Sequence, residues 1–251
     1  MENVEWLKSH CDPWDEVISK WKATSVWRVE SIKKDSESSL AFILDAWPGF
    51  KDPRGFDLVD IDFETMFPQV EESPSEKFAQ LKKKLIPLFG MEIKDKYSKG
   101  LLKKLGDSST NEDSQGCITS LLINALILPD RECGNKKPTI ADAQRQMVFR
   151  VNSRKELEEL ITQQNNDLKI IAVGQDLTAI TEVYVNCGPI FYKMSSYSRA
   201  MELLIKLSLL LHIDYPRKCR YAWKVLEGFC FSHATERVYD PKVQNLLNKL
   251  S

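Results

Sequence analysis

The stretch from Tyr197 to Pro216, YSRAMELLIKLSLLLHIDYP, constrains the fold more than any other part of the chain. Apolar residues fill most of the segment from Met201 to Ile213, too many for a helix that lies on a protein surface. The polar residues Arg199, Glu202 and Lys206 recur at spacings of three and four, so they form one narrow stripe on a helix. At roughly 1.5 Å per residue the run is shorter than a bilayer core of ~30 Å. The sequence therefore predicts a central helix that other parts of the chain cover almost completely.

Length and composition limit the class of protein. The 251 residues suffice for one large domain or two small ones, and a net charge of −1 excludes a surface that is basic throughout. No window has the ~18 uncharged apolar residues of a membrane-spanning helix, and the first residues lack the pattern of a secretory signal. The six cysteines stand singly, which favours reduced thiols. A cytoplasmic or nuclear protein with no membrane contact is expected.

The first half of the chain reads as mostly helical. Asp12 and Pro13 are typical of a helix start, and the spacing of the residues after them favours an aromatic core. A surface on which bases or a peptide stack is the alternative interpretation. After a polar break at 35–39, further helices are predicted at 40–47 and 57–67. The core residues expected on one face of the first helix are Trp14, Val17, Ile18 and Trp21.

The second half mixes helices with short strands. Strands are predicted at 147–151, 168–173 and 180–185, with 180–194 forming a hairpin. Helices are predicted at 117–128, 139–146, 153–164, 220–231 and 240–250, with a capping box of Ser153 and Glu156 on the third.

These elements predict an α+β fold: a mostly helical N-terminal half and a C-terminal half with a small sheet packed by helices around the buried central helix. The segment 106–116, GDSSTNEDSQG, has no apolar residue and is predicted to be a polar linker. It divides the chain into a Trp-rich helical region, 1–105, and an α+β domain, 117–251.

Charge is segregated along the chain although its total is balanced. Residues 52–76 hold eight acids and one base, whereas residues 77–104 hold nine lysines and two acids. The lysines form either a solvated helix face or a surface that holds phosphate groups. Because none is an arginine, any nucleic-acid contact should be to the backbone rather than to base edges. The candidate phosphate contacts are Lys77, Lys82, Lys83, Lys84, Lys94, Lys96, Lys99, Lys103 and Lys104.

Catalytic and metal-binding patterns are weak. His212 lies in the most apolar stretch and is expected to be buried. Cys230 and His233 are three residues apart, and they could act as a nucleophile pair only if an orienting group and an oxyanion site also exist. The alternating acids from Asp60 to Glu64 diverge on a helix, and no zinc, EF-hand or nucleotide-binding motif is present. We predict no catalytic, cofactor-binding or metal-ligating residues.

Several landmarks resemble a known family of animal proteins. These landmarks are LKIIAVGQDL, YVNCGPIFY, the buried helix that ends in Tyr215-Pro216, the aromatic helix after it, and the upstream segments ILDAWPGF and FDLVDIDFETMFP. Together they resemble the chains labelled sterile alpha motif domain-containing protein three-like, which have features of domesticated mobile elements. The chain has no recognisable sterile alpha motif of its own. The resemblance implies a fold and no reaction.

Three hypotheses about function follow. The first is a non-enzymatic, intracellular module that binds a protein partner or a second copy of itself. The second is a nucleic-acid-binding protein that uses the lysines of 77–104 and derives from a mobile element. The third is a hydrolase or nuclease that uses Cys230 with His233, or the acids from Asp60 to Glu64.

Overall fold

The fold is that of a computed structural model, which describes residues 2–34, 40–68, 72–129, 138–162, 168–232 and 239–251. Within these ranges the helices are α1 Glu2–Leu7, α2 Trp14–Lys34, α3 Leu40–Ala46, α4 Phe56–Met66, α5 Pro74–Glu92, α6 Lys96–Leu105, α7 Glu112–Leu126, α8 Ile140–Met147, α9 Arg154–Thr162, α10 Tyr197–Leu210, α11 Arg220–Cys230 and α12 Pro241–Leu250. The strands are β1 Val148–Val151, β2 Lys169–Val173, β3 Glu182–Cys187 and β4 Ile190–Met194. The predicted α+β fold is confirmed.

The four strands form one mixed sheet in the order β1-β2-β3-β4. β1 and β2 are parallel and are joined through α9, whereas β3 is antiparallel to both of its neighbours. Side chains alternate between the two faces, so Ile170 and Ala172 join the main core while Ile171 and Val173 join a smaller cluster with Leu157 of α9. The hairpin predicted at 180–194 is confirmed as β3 and β4.

Helix α10 lies at the centre of the molecule, as its composition predicts. It packs against the sheet on one side and against α4, α5 and α7 on the others. Even its polar stripe is covered, because Glu202 and Lys206 are only 8% and 7% exposed. Lys206 compensates Glu202, because its Nζ lies 2.6 Å from Glu202 Oε1. Asp60 of α4 accepts a hydrogen bond from Lys206 Nζ at 2.8 Å and another from the guanidinium of Arg199.

Helices α2 and α4 form the core of the N-terminal half. Val17 and Trp21 are fully buried and Trp14 and Ile18 pack against the core, so the predicted aromatic core is confirmed for this face of α2. Trp27 is 46% exposed and lies outside that face.

The segment 106–116 differs in part from its predicted form. Asn111 caps a helix by accepting a hydrogen bond from the Ser114 N–H, so residues 112–116 belong to α7 and only 106–111 are a connection. The main cluster of buried side chains includes residues from both sides of this segment, from Val4 to Leu250. The division of the chain into two domains stays a prediction.

One local expectation is wrong, and another is confirmed only in part. His212 is exposed, because α10 ends at Leu210 and the backbone of His212 turns away with a φ of 52°. Of the predicted capping box, Ser153 Oγ accepts from the Glu156 N–H at 3.3 Å, but the Glu156 carboxylate accepts from the backbone N–H of Asn152 at 2.8 Å instead of from that of Ser153. The predicted polar break at 35–39 and most of the loop before Thr139 lie outside the described residues.

Candidate functional site

The nine lysines predicted as phosphate contacts differ in their surroundings in the structure. Four have partners in the chain, namely Ser232 for Lys77, Ser251 for Lys84, Met91 for Lys94 and Asp176 for Lys104. Lys82 is half-buried, and its Nζ lies 5.8 Å from the centre of the Phe78 ring. The other four are exposed and form no hydrogen bond or ion pair with the described part of the chain: Lys83, Lys96, Lys99 and Lys103. The lysines of 77–104 therefore differ in how freely they could contact an anion, and their role as phosphate contacts stays a prediction.

Three of these four exposed lysines lie on α6. Lys96, Lys99 and Lys103 are separated by three and four residues, which places them along one side of the helix over about 10 Å. We call these three residues the lysine stripe. The buried residues Ser98 and Leu101 lie on the opposite side of α6.

Several polar contacts fix the position of α6. Its first turn is capped by Asp95, which accepts a hydrogen bond from the Ser98 N–H at 2.8 Å. The hydroxyl of Ser98 is 3.2 Å from Nε2 of Gln144 on α8, inside the protein. At the other end, Thr110 donates to the carbonyl of Lys104 at 2.7 Å. These contacts hold the lysine stripe on a rigid element, which lowers the entropic cost of presenting it to a ligand.

A cleft of about 580 Å³ lies beside the lysine stripe, between α6 and the loop that follows β2. The carboxyl ends of the parallel strands β1 and β2 border it. We call it the α6 cleft. Its lining residues are Lys96, Tyr97, Gly100, Leu101, Lys104, Arg150, Asp176 and Leu177.

Arg150 is held at the edge of the α6 cleft by one of its nitrogens. Its Nη1 donates to the carbonyls of Gly174 and Gln175 at 2.7 and 2.9 Å, and to Oδ1 of Asn152 at 2.6 Å. The other guanidinium nitrogens form no hydrogen bond within the described chain, so they are available to an anion. The sequence does not predict that Arg150 lies near α6, because at least 45 positions separate it from every residue of that helix.

The α6 cleft also contains one carboxylate. Both oxygens of Asp176 accept from Lys104 Nζ at 2.8 Å, and Oδ1 accepts from the Thr178 N–H at 3.0 Å. The hydrogen bond from Lys104, followed by that from Thr178, lowers the pKa of Asp176. The carboxylate is therefore ionised near neutral pH and holds Lys104 against the loop.

Gly100 is one of two described glycines that have open space beside them. A Cβ atom at Gly90 or at Gly100 would meet no atom within 4 Å, whereas at every other described glycine it would meet a neighbour. Glycine inside a helix costs about 1 kcal/mol relative to alanine. Packing within the chain does not explain that cost at Gly100, which lines the α6 cleft.

The candidate catalytic residues are not brought together. Cys230 is fully buried, burial raises the pKa of its thiol, and His233 lies outside the described residues. On α4, Asp60 lies against α10, Asp62 is buried against α2, and Glu64 is exposed. Across the described ranges no group of three or more histidine, cysteine or acidic side chains is placed to hold a metal ion.

In the part of the chain that the structure describes, no helix combines the length and the apolarity that crossing a membrane requires. Comparison of the chain with protein-family models, with curated proteins and with solved structures found no match. The resemblance to the sterile alpha motif domain-containing protein three-like family therefore stays a prediction.

Proposed function

We propose that this protein binds the phosphate backbone of nucleic acid through the lysine stripe of α6. The observation that carries the proposal is the set of three exposed ammonium groups, Lys96, Lys99 and Lys103, on one side of a helix. None of the three forms a side-chain hydrogen bond or an ion pair in the described chain, although Asp107 lies close enough to Lys103 for that charge, after the hydrogen bonds from Ser109, to lower the pKa of Asp107. Regularly spaced cations without intramolecular partners are what a repeating anion requires.

The chemistry of the stripe determines the kind of binding. Lysine ammonium groups contact phosphates as point charges and do not read base edges as arginine does. Binding should therefore depend on salt and little on base sequence. Each phosphate contact contributes about 0.7 to the slope of log affinity against log salt for a single strand.

Fluorescence anisotropy of labelled single- and double-stranded oligonucleotides, measured over a salt series, tests the proposal. The variant Lys99→Glu/Lys103→Glu reverses two charges of the stripe that do not line the α6 cleft. Its matched control is Lys22→Glu/Lys33→Glu, which reverses two exposed charges on α2.

We expect the chain and the control variant to bind equally well at low salt. The stripe variant should bind more weakly, and its slope of log affinity against log salt should be shallower by about one or more. Equal loss in both variants would show a general charge effect and would contradict a specific site. Binding that does not change with salt would contradict phosphate contacts altogether.

A second candidate function is association with a protein, and here a different surface supports it. Ile86 and Met91 on the outer side of α5 are 50% and 64% exposed, and Gly90 between them leaves space for a close neighbour. Together with that open space, these exposed apolar side chains suit contact with a second copy of the chain. Sedimentation velocity over a range of concentrations should then show an associating chain and a monomeric Ile86→Gln/Met91→Gln variant. A wild-type chain that stays monomeric throughout would refute self-association.

A further inference from the structure

The α6 cleft combines two kinds of surface that a nucleotide requires together. Among the described residues that line it, the charged ones are three cations, Lys96, Lys104 and Arg150, and one carboxylate, Asp176. This excess of positive charge suits a phosphate group, and the free nitrogens of Arg150 add directional donors.

The other part of the cleft is apolar and partly aromatic. Tyr97 is 56% exposed although it is a large ring, and Leu101 and Leu177 lie beside it. Ring stacking on an exposed aromatic side chain contributes about 1–3 kcal/mol per base when measured by alanine substitution. Tyr97 and the cationic groups border the same space of about 580 Å³, which is large enough for one nucleotide.

Gly100 leaves space beside α6 in which a flat ligand ring could approach the helix backbone. It lies three residues after Tyr97 and four before Lys104, so it shares the cleft side of α6 with both. Without a Cβ atom it lets a ligand approach the helix backbone closely, which is a common reason for glycine beside a binding site. No atom of the chain lies within 4 Å of the position that a Cβ atom would occupy there, so the space is open to a ligand.

We propose that the α6 cleft binds one nucleotide, with its phosphate near Lys96, Lys104 and Arg150 and its base against Tyr97 and Gly100. The proposal deepens the proposed function, since the lysine stripe lies on the same helix and would carry the strand on either side of this nucleotide. The nucleotide is either free or part of a single strand, because a paired base cannot lie against Tyr97.

Isothermal titration calorimetry of the full chain with adenosine 5′-monophosphate tests the cleft directly. Inorganic phosphate and adenosine, the two parts of this molecule, serve as half-ligands. A labelled oligo(dA) distinguishes binding of a nucleotide within a strand from binding of a free nucleotide. We expect the monophosphate to bind more tightly than either half-ligand. Tyr97→Ala should weaken binding of the monophosphate about fivefold or more.

The paired variants Gly100→Ala and Gly90→Ala separate binding from stability. Both place a methyl group in open space within a helix, so both should raise Tm by roughly 2–4 °C. Only Gly100→Ala adds the methyl group to the floor of the cleft, where overpacking should weaken the monophosphate about fivefold or more.

The outcomes separate the two proposals. If oligonucleotides bind and the monophosphate does not, and if Tyr97→Ala and Gly100→Ala leave oligonucleotide affinity unchanged, the cleft proposal is overturned while the lysine stripe stands. If the monophosphate binds and oligonucleotides do not, the cleft stands for a free nucleotide and the proposed function fails. Monophosphate binding that both variants leave unchanged would place the ligand elsewhere and overturn the cleft.

Discussion

Arg28 and Asp62 form an ion pair in which neither side chain has solvent-accessible surface. Arg28 Nε donates to Asp62 Oδ2 at 2.8 Å, and Arg28 Nη2 donates to Oδ1. The guanidinium carbon of Arg28 lies 3.7 Å from the centre of the Trp21 ring. Arg28 Nη1 donates to Thr24 Oγ1, and Nη2 also donates to the Trp21 carbonyl. The pair therefore joins α2 to α4 with every charge compensated, in the core of the N-terminal half.

Removing one partner of this pair should be costly. Asp62→Ala leaves Arg28 charged and buried, and such a loss typically destabilises a protein by about 3–5 kcal/mol. The control Asp45→Ala removes the partner of Lys51 from an exposed pair and should cost less than about 1 kcal/mol. Urea denaturation followed by circular dichroism measures both free energies of unfolding. A cost for Asp62→Ala as small as that of the control would contradict the buried pair.

The double variant Arg28→Met/Asp62→Leu extends this test, since it replaces both charges by apolar groups. Because no charge is then left buried without a partner, it should be more stable than Asp62→Ala. A double variant that is less stable than Asp62→Ala would show that packing at this position outweighs the charge.

The sequence predicts the elements of this fold better than their contacts. Apolar content alone identifies α10 as buried, and turn residues bound the β3–β4 hairpin. By contrast, Asp60 and Lys206 are 146 positions apart, and nothing near either residue indicates that they form a pair. The same limit applies to the α6 cleft, since Arg150 reaches it only through the placement of β1 beside β2. Local charge predicts Lys96 and Lys104 as phosphate contacts. Tyr97, Gly100 and Asp176 become candidate ligand contacts only because the structure places them in the same cleft.

Asp176 should oppose anion binding, because its carboxylate holds Lys104 and repels phosphate. Asp176→Asn keeps an acceptor for the Thr178 N–H but removes the negative charge. At contact distance in water a unit charge is worth about 1 kcal/mol, so oligonucleotide affinity at low salt should rise roughly fivefold. Lys104 and Asp176 are 42% and 49% exposed, so stability should change by less than about 1 kcal/mol. Anisotropy titrations measure the affinity, and an unchanged or weaker affinity would show that the anion does not reach Lys104.

The start of α8 should make the stability of the protein depend on pH. The backbone N–H and hydroxyl of Thr139 donate to Asp142, and with Arg145 they lower its pKa below the usual 3.8. Because the folded state holds fewer protons than the unfolded state, this contribution is present above about pH 4 and is lost as pH falls. Asp142→Asn should therefore lower Tm at pH 6 and have a smaller effect at pH 3. A Tm difference that stays constant over this range would contradict an ionised cap.

Thiol reactivity tests the packing of the core, and it also tests the hypothesis that Cys230 is a nucleophile. Cys11 is half-exposed; partial burial, followed by the charges of Asp52 and Asp12, raises the pKa of its thiol, and Arg54 opposes this shift. Burial raises the pKa of Cys187 and of Cys219 to about 12, and it raises those of the buried Cys117 and Cys230 as well. The thiolate is the reactive form, so buried thiols with a raised pKa should be inert.

In a Cys133→Ser background, a disulfide reagent at pH 8 should modify one thiol of the native protein within minutes and the other four only after unfolding in denaturant. Adding Cys11→Ser should abolish the early reaction, which assigns it to that residue. Slow labelling of the remaining thiols should follow the rate of unfolding, because access requires the core to open. If Cys230 instead reacts as fast as Cys11 in the native chain, its thiol is accessible and activated, and the nucleophile hypothesis regains support.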